Sequence, residues 1–395
     1  MVGQAPIAAT VYELERLRCN LCGEVYEGAA PEGVGEEKYD ATAAAMIAVM
    51  KYGSGVPWDR LERLEGSLGI PLPASTQCEI VAKVAEVIRP AFEELLRQAA
   101  QGEVFYNDDT SMKILALARA SPERAEGKEA SGSQERTGLF TSGIVSTGEG
   151  RRIALFFTGR NHAGENFARV LAERAKGLAP PIQMSDALSR NVPKLETKLE
   201  ILWGNCTAHA RRRFVQVTPN FPQECKFVLE SLGDVYRYDA EAGARGLSPE
   251  EQQRFHQEHS APVIEQLHTW FLAQFAEKRV EPNSGLGEAI SHCLKRWERL
   301  TLFLRQAGAP LDSNLVERAL KKCILHRKNS LFYKTTKGAE VGDLFMSLIH
   351  TSELNDANPF DYLTELQKHA KELARNPAAW MPWNYRQSLQ QTAAG

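Results

Sequence analysis

The chain has 395 residues, 43% hydrophobic and 25% charged, which is enough for two or three domains and ordinary for a soluble globular protein. No apolar run approaches the ~20 residues of a membrane span, and no basic flank with a short apolar core marks a signal peptide, so the expectation is a cytoplasmic protein with no membrane partner. The net charge of -3 does not exclude nucleic acid, because charge is unevenly placed: Arg318 to Gly338 carries seven basic residues and no acidic one, and Arg211, Arg212 and Arg213 are consecutive.

Residues 1–37 read as irregular or weakly β around Cys19-Asn-Leu-Cys22-Gly23. The seven cysteines are odd in number and mostly scattered, which points to reduced thiols. Residues 38–102 read as three helices, near Asp40–Lys51, Pro57–Leu68 and Ser75–Ala100, with a turn at Gly69–Pro73. A short helix, a turn and a longer helix fit a DNA-binding helix-turn-helix, and they fit a plain helical bundle equally well.

From residue 103 to 207 the pattern is α/β. Val104-Phe105-Tyr106 reads as a strand ending at Asp108 and Asp109, followed by a solvated loop over 119–136. Leu139–Ser146 and Ile153–Thr158 read as a hairpin, 163–176 as a helix, and Pro181–Met184 as a strand running into Asp186. Leu199–Trp203 is a further strand, with a helix expected between it and its predecessor. That order implies a sheet with mixed pairing. Residues 208–307 carry helical patterns alone, including the helix start Ser248-Pro-Glu-Glu251, and read as an insertion. Residues 308–370 begin with a helix near Asp312 that bears Asn314, Glu317 and Arg318; the tail 371–395 is expected to be loose after Asn376.

Metal-assisted phosphodiester cleavage needs carboxylates converging from neighbouring strand ends, since hard divalent cations prefer oxygen. Asp108 or Asp109, Asp186 and Glu317 supply such a set. On spacing alone they are a few among 50 acidic residues, and an aspartate at a strand end is more often a turn residue.

Longer motifs sharpen this. Pro310-Leu-Asp-Ser-Asn314-Leu-Val-Glu317-Arg318, then His326-Arg327-Lys328-Asn329, Ser347-Leu-Ile-His-Thr351, Asn355 and Asn358-Pro359, resemble the third acidic motif and following block of the insertion-sequence-sixty-six transposases. Cys206-Thr-Ala-His209-Ala-Arg211-Arg-Arg-Phe214 resembles that family's Cys-Trp-Ala-His-Ala-Arg-Arg-Lys-Phe, and Asn107-Asp108-Asp109-Thr110 its Asp-Glu-Thr motif. The resemblance implies a ribonuclease-H-like core with a helical insertion before the last catalytic helix, and a DDE transposase with catalytic Asp108, Asp186 and Glu317. Two Mg²⁺ (or Mn²⁺) ions would bind there. It also implies terminal inverted repeats and target DNA as double-stranded partners, a homo-oligomer, accessory proteins of the same element, and association with the nucleoid.

The sequence departs from the family at the second acid, where Asp186-Ala187-Leu188 replaces Asp-Gly-Tyr, and at the first, where Asp109 replaces glutamate. Neighbouring strand residues face opposite ways, so one of Asp108 and Asp109 faces the metals, and the match favours Asp108. Asn314 and Arg318 are expected to line the site, with Arg211, Arg212, Arg213, Lys321, Lys322, Arg327 and Lys328 on phosphates. Solvated helix faces are the alternative for these basic residues. Cys206 and His209 are expected in support, as a hydrogen-bonded pair or as two metal ligands. Cys19 and Cys22 have zinc-knuckle spacing but make half of a four-ligand Zn²⁺ site; the family's second pair lies upstream of where this chain starts. Two rival functions remain open: a catalytically inactive or domesticated DNA-binding derivative, and another two-metal nuclease of the same fold, such as a resolvase.

Overall fold

The computed structural model describes residues 5–32, 34, 38–118, 138–195 and 199–394. The loop expected over 119–136 lies outside the described residues. A hairpin of β1 (Arg16–Arg18) and β2 (Val25–Glu27) comes first. Then follow helices α1 (Ala41–Ala48), α2 (Trp58–Ser67) and α3 (Ala74–Ala99), as the apolar spacing predicts. Their buried faces, with Ile47, Leu61, Ile88 and Leu95, join the same core as the central sheet.

Strand β3 (Val104–Ser111) is longer than expected and carries both aspartates within it. After the short α4 (Leu115–Ala118) come β4 (Phe140–Gly148) and β5 (Arg151–Gly159), joined by a tight turn with positive φ at Glu149 and Gly150. Helix α5 (Ala163–Leu171), β6 (Ile182–Ser185) and β7 (Leu202–Asn205) complete the sheet. Its order is β5-β4-β3-β6-β7, with β4 antiparallel to both of its neighbours, β3 and β5, and β6 and β7 parallel to β3. The expected mixed α/β sheet is therefore present. The helix expected between β6 and β7 is not: among the described residues that connection holds a single 3₁₀ turn, Ser189–Asn191. Pro193 opposes a helix there, and the buried Asn191 side chain is committed to tertiary hydrogen bonds.

The insertion is α6 (Thr207–Val217), α7 (Pro222–Ala244), α8 (Pro249–Ala276), α9 (Gly285–Leu294) and α10 (Trp297–Leu300). Ser248 and Glu251 form a reciprocal capping box at the start of α8. These helices build a core of their own around Phe214, Val228, Phe271 and Ile290.

Helix α11 (Asn314–Ser330) then returns to the sheet, followed by α12 (Thr336–Leu354), α13 (Pro359–Lys368), α14 (Ala370–Arg375) and α15 (Tyr385–Ala394). The tail is not loose. Trp380, Met381 and Tyr385 are buried in the main core, and Tyr362 donates its hydroxyl to the Trp380 carbonyl. Three apolar anchors outweigh the polar residues between them.

Helix α12 lies along the free edge of β5 in an unusual way. Asp343, Ser347, Thr351 and Asn355 recur every four residues. They accept the backbone N–H groups of Thr158, Phe156, Ala154 and Arg152, every second residue of the strand, at 2.6, 3.0, 3.0 and 3.2 Å. Four helical residues rise about 6 Å and two strand residues about 6.8 Å, so the two repeats stay in step. The helix thus closes an edge that would otherwise expose unpaired donors. No helix among the described residues is long and apolar enough to cross a membrane.

Candidate active site

The parallel strands β3 and β6 deliver Asp108 and Asp186 to the same end of the sheet. Asp108 pairs with Gly143 in register, and β6 ends one residue before Asp186. One side chain joins the two acids: Asn191 Nδ2 donates to Asp108 Oδ1 at 3.2 Å and to Asp186 Oδ1 at 2.5 Å. The backbone N–H of Asp109 also donates to Asp108 Oδ1, at 2.8 Å, and that of Leu188 to Asp186 Oδ1, at 3.1 Å. Burial, and then the negative charge of Asp186, push the Asp108 carboxyl above its ordinary pKa.

Asn191 is held by a buried amide cluster. Asn107 Nδ2 and Gln183 Nε2 both donate to the Asn191 backbone carbonyl oxygen at 2.7 Å, and Gln183 Nε2 donates to Asn107 Oδ1 at 2.6 Å. The loop carrying it passes over the first turn of α5, where a Cβ on Gly164 would meet the Val192 carbonyl oxygen at 2.5 Å. The absence of a side chain at Gly164 allows that close approach. The sequence reading missed Asn191, Asn107 and Gln183. Alternating polar residues, one strand apart, were the only available signal.

Asp109 faces the other way, as strand alternation requires. Its side chain is 1% exposed; it meets His162 Nδ1 at 2.8 Å and Arg190 Nε at 3.4 Å. It also accepts the N–H of Ala163 at 3.4 Å, so it anchors the start of α5. Of the two adjacent aspartates, only Asp108 stands with Asp186.

Helix α11 crosses the sheet at Gly143: a Cβ there would meet Leu320 Cδ2 at 3.0 Å and Val316 Cγ2 at 3.3 Å. That contact fixes Glu317 in the first turn of α11. Its Oε1 lies 3.6 Å from His209 Nδ1, and its Oε2 lies 3.6 Å from Arg212 Nη2. Among the described residues the oxygens of Asp108, Asp186 and Glu317 do not all lie within 4.8 Å of one another, whereas ligand atoms of Cys206, His209 and Glu317 do. A cavity of about 290 Å³ links the two groups, lined by Asp186, Asn205, Cys206, His209, Arg212 and His292 among others. Its wall is electropositive. Burial, then the charges of Arg213 and Arg296, push His292 down to about 4. A second cavity of about 790 Å³ opens from Asp186 across Trp203, His268, Trp297, Arg296 and Arg299.

The remaining candidates divide. Arg211, Arg212 and Arg213 are exposed on α6, and Arg318, Lys321 and Lys328 are exposed on α11. Lys322 is paired with Glu353 at 3.0 Å, and Arg327 donates to Thr110 at 3.1 Å and to Ser111 at the end of β3. Asn314 turns back to Asp312, donating at 2.6 Å. Cys19 and Cys22 sit in the β1–β2 hairpin, where N–H groups of Cys22 and Leu21 lower the Cys19 pKa. No third ligand residue joins them among the described residues.

Three uncharacterized proteins of Sinorhizobium fredii NGR234 are similar to this chain. One, y4jD, is 27% identical over 392 residues, covering 94% of this chain and 71% of the relative. Another, y4hP, is 25% identical over 399 residues, covering 95% and 67%. The third, y4qI, is 24% identical over 350 residues, covering 87% of this chain but only 62% of the relative. The sequence model described as "Transposase IS66 family" matches residues 37–341. That span takes in the helices before the sheet, the sheet with Asp108 and Asp186, the insertion, and the helix of Glu317, and on it the chain belongs to the IS66 transposase family.

Proposed function

We propose that the chain is a DDE transposase with a ribonuclease-H-like core, which nicks the ends of its element and joins the freed 3′-hydroxyls to target DNA. The observation that carries this is the Asp108–Asp186 pair, held on one amide at the ends of neighbouring parallel strands. The sheet order supports the core, three antiparallel strands flanked by two parallel to the first.

The oxygen donors fit Mg²⁺ or Mn²⁺. Burial, then the charge of Asp186 beside it, disfavours the Asp108 carboxylate, and a divalent cation would offset both. Bound there by Asp108 and Asp186, with Glu317 on the neighbouring helix α11 as the third acid, such ions would lower the pKa of a bound water and stabilise charge on the phosphate. The chain's own residues do the rest. Asn191 orients both aspartates, and Arg212, Arg213 and Arg296 draw phosphate towards the cavity. Trp203, His268 and Trp297 offer stacking faces for bases of an unpaired strand end. Water attacks phosphorus and the 3′-oxygen of the element end leaves. That 3′-hydroxyl then attacks a target phosphorus and expels a target 3′-oxygen. A homo-oligomer would hold paired ends, with or without accessory proteins.

The test is cleavage and strand transfer of inverted-repeat ends by the full chain in Mg²⁺. Asp108→Asn or Asp186→Asn should each lower the rate at least ~10³-fold, about 4 kcal/mol of barrier, while end binding persists. Wild-type protein that binds ends yet fails to cleave them under any divalent metal would instead support a DNA-binding derivative.

A further inference from the structure

Glu317 has a second set of neighbours that the cleavage chemistry does not use. Its Oε1 is buried and accepts no hydrogen bond among the described residues, and the same holds for His209 Nδ1 facing it. Their 3.6 Å separation is too long for a hydrogen bond. It is close to the roughly 3.3–3.5 Å edge of a tetrahedron of ligands with bonds of about 2.0–2.1 Å to one ion. Cys206 Sγ completes a trio of ligand atoms all within 4.8 Å of one another.

The fold builds this trio from two helix starts. Cys206 and His209 are three residues apart across the first turn of α6, which puts them on one face. Glu317 comes from the first turn of α11. Cys206 Sγ already accepts the backbone N–H of Ser313 at 3.3 Å, the outer contact that commonly supports a metal-bound thiolate. Arg212 approaches the other Glu317 oxygen and leaves Oε1 to the trio. Cys206 and His209 also line the cavity that Asp186 lines, so a fourth coordination position opens onto it.

We propose that Cys206, His209 and Glu317 bind a single zinc-class divalent cation, separate from any ion on Asp108 and Asp186, and that this ion clamps α6 of the insertion to α11. The sulfur, nitrogen and oxygen donors select Zn²⁺ or Co²⁺ over Mg²⁺. Binding releases the Cys206 thiol proton to solvent and involves no redox change. The site shares Glu317 with the cleavage reading, so its test reads metal binding and not DNA cleavage.

The full chain, with Cys19→Ser and Cys22→Ser to silence the hairpin thiols, is titrated with Co²⁺ and followed by absorption. One Co²⁺ per chain should give a sulfur-to-cobalt charge-transfer band and the intense visible bands of a tetrahedral site, whatever further Co²⁺ the aspartates take. Zn²⁺ should displace it and excess Mg²⁺ should not. Cys206→Ser should abolish the charge-transfer band, Glu317→Gln should weaken Co²⁺ binding at least about 10-fold, and Asp186→Asn should leave both unchanged. A charge-transfer band that never forms, or that survives Cys206→Ser, overturns the proposal. So does Co²⁺ affinity unmoved by Glu317→Gln, a variant that loses no hydrogen bond and so keeps the fold. Cleavage lost in Asp108→Asn, whatever Co²⁺ does, bears on the transposase reading alone.

Discussion

Two places in this molecule bury polar side chains against the same sheet, and they do so in opposite ways. Along the β5 edge, Asp343, Ser347, Thr351 and Asn355 each meet a backbone donor of the strand, and none of their buried atoms is left without a partner. At the end of β6 and β7, buried Oδ1 of Asn191 and Asn205, Nδ1 of His209 and Oε1 of Glu317 all lack one among the described residues. A buried polar atom without a partner costs about 1–3 kcal/mol, so it persists where something else is bound or reacts. The satisfied edge reads as architecture, and the unsatisfied end coincides with the site proposed for catalysis.

The largest expected effect separates the two regions outright. Asp108→Asn should remove cleavage without lowering thermal stability, because burial, then the charge of Asp186, disfavours the carboxylate and the amide carries no charge. A fall in stability matching the fall in activity would make Asp108 architectural and erase the distinction.

Stability against pH sharpens it next. Burial raises Asp343 to about 7, against the ordinary 3.8, even though Thr158 hydrogen bonds favour its charged form. Between those values the folded state binds a proton that the unfolded state has released. Stability should therefore fall as pH rises from about 4 to 7, by at most about 1.4 kcal/mol per unit, and level off above. Asp343→Asn keeps an acceptor for the Thr158 N–H and cannot titrate, the Thr158 hydroxyl accepting from the new amide where it had donated to the carboxylate, so urea titrations of this variant should show that slope reduced. An unchanged slope would assign the titration elsewhere.

Asp109 tests whether adjacent strand residues can belong to opposite classes. Asp109→Ala strands His162 and Arg190, both partly exposed, and should cost about 2 kcal/mol of stability. Cleavage per folded molecule should stay within a few-fold of wild type. A loss as deep as that of Asp108→Asn would place Asp109 in the site.

The sequence carried these distinctions unevenly. Apolar runs placed every strand of the main sheet, and alternation said that only one of Asp108 and Asp109 could face the site, because strand geometry is local; the motif resemblance chose Asp108. The Asn191 bridge was not legible, since it depends on a loop between β6 and β7 that looks like any polar connection. The α12 ladder left a trace that the apolar pattern concealed. Asp343, Ser347 and Thr351 at spacing four inside a largely buried helix, with Asn355 just past its end, match a partner presenting donors at a corresponding interval. The buried tail was missed because its anchors, Trp380, Met381 and Tyr385, are scattered in a polar stretch, and burial there depends on a surface formed by distant residues. The trio of Cys206, His209 and Glu317 required two helices more than a hundred residues apart to meet.

The smallest effect bears on what makes the satisfied edge satisfied. Thr351 Oγ1 accepts the Ala154 N–H at 3.0 Å and donates to the Ala154 carbonyl at 3.2 Å, with both residues fully buried. Thr351→Val keeps the shape and removes the hydroxyl, leaving that N–H with no acceptor, and should cost about 1–2 kcal/mol. Thr351→Ser keeps the hydroxyl and loses one methyl, so about 1 kcal/mol or less is expected. Hydrogen exchange at the Ala154 amide should quicken in the valine variant more than in the serine one. Equal costs would mean that packing holds α12 to β5 and that the matched repeat of four against two is incidental. A larger cost for valine, with cleavage per folded molecule unchanged, would show the hydrogen bonds themselves closing the edge while the unsatisfied end is left to chemistry.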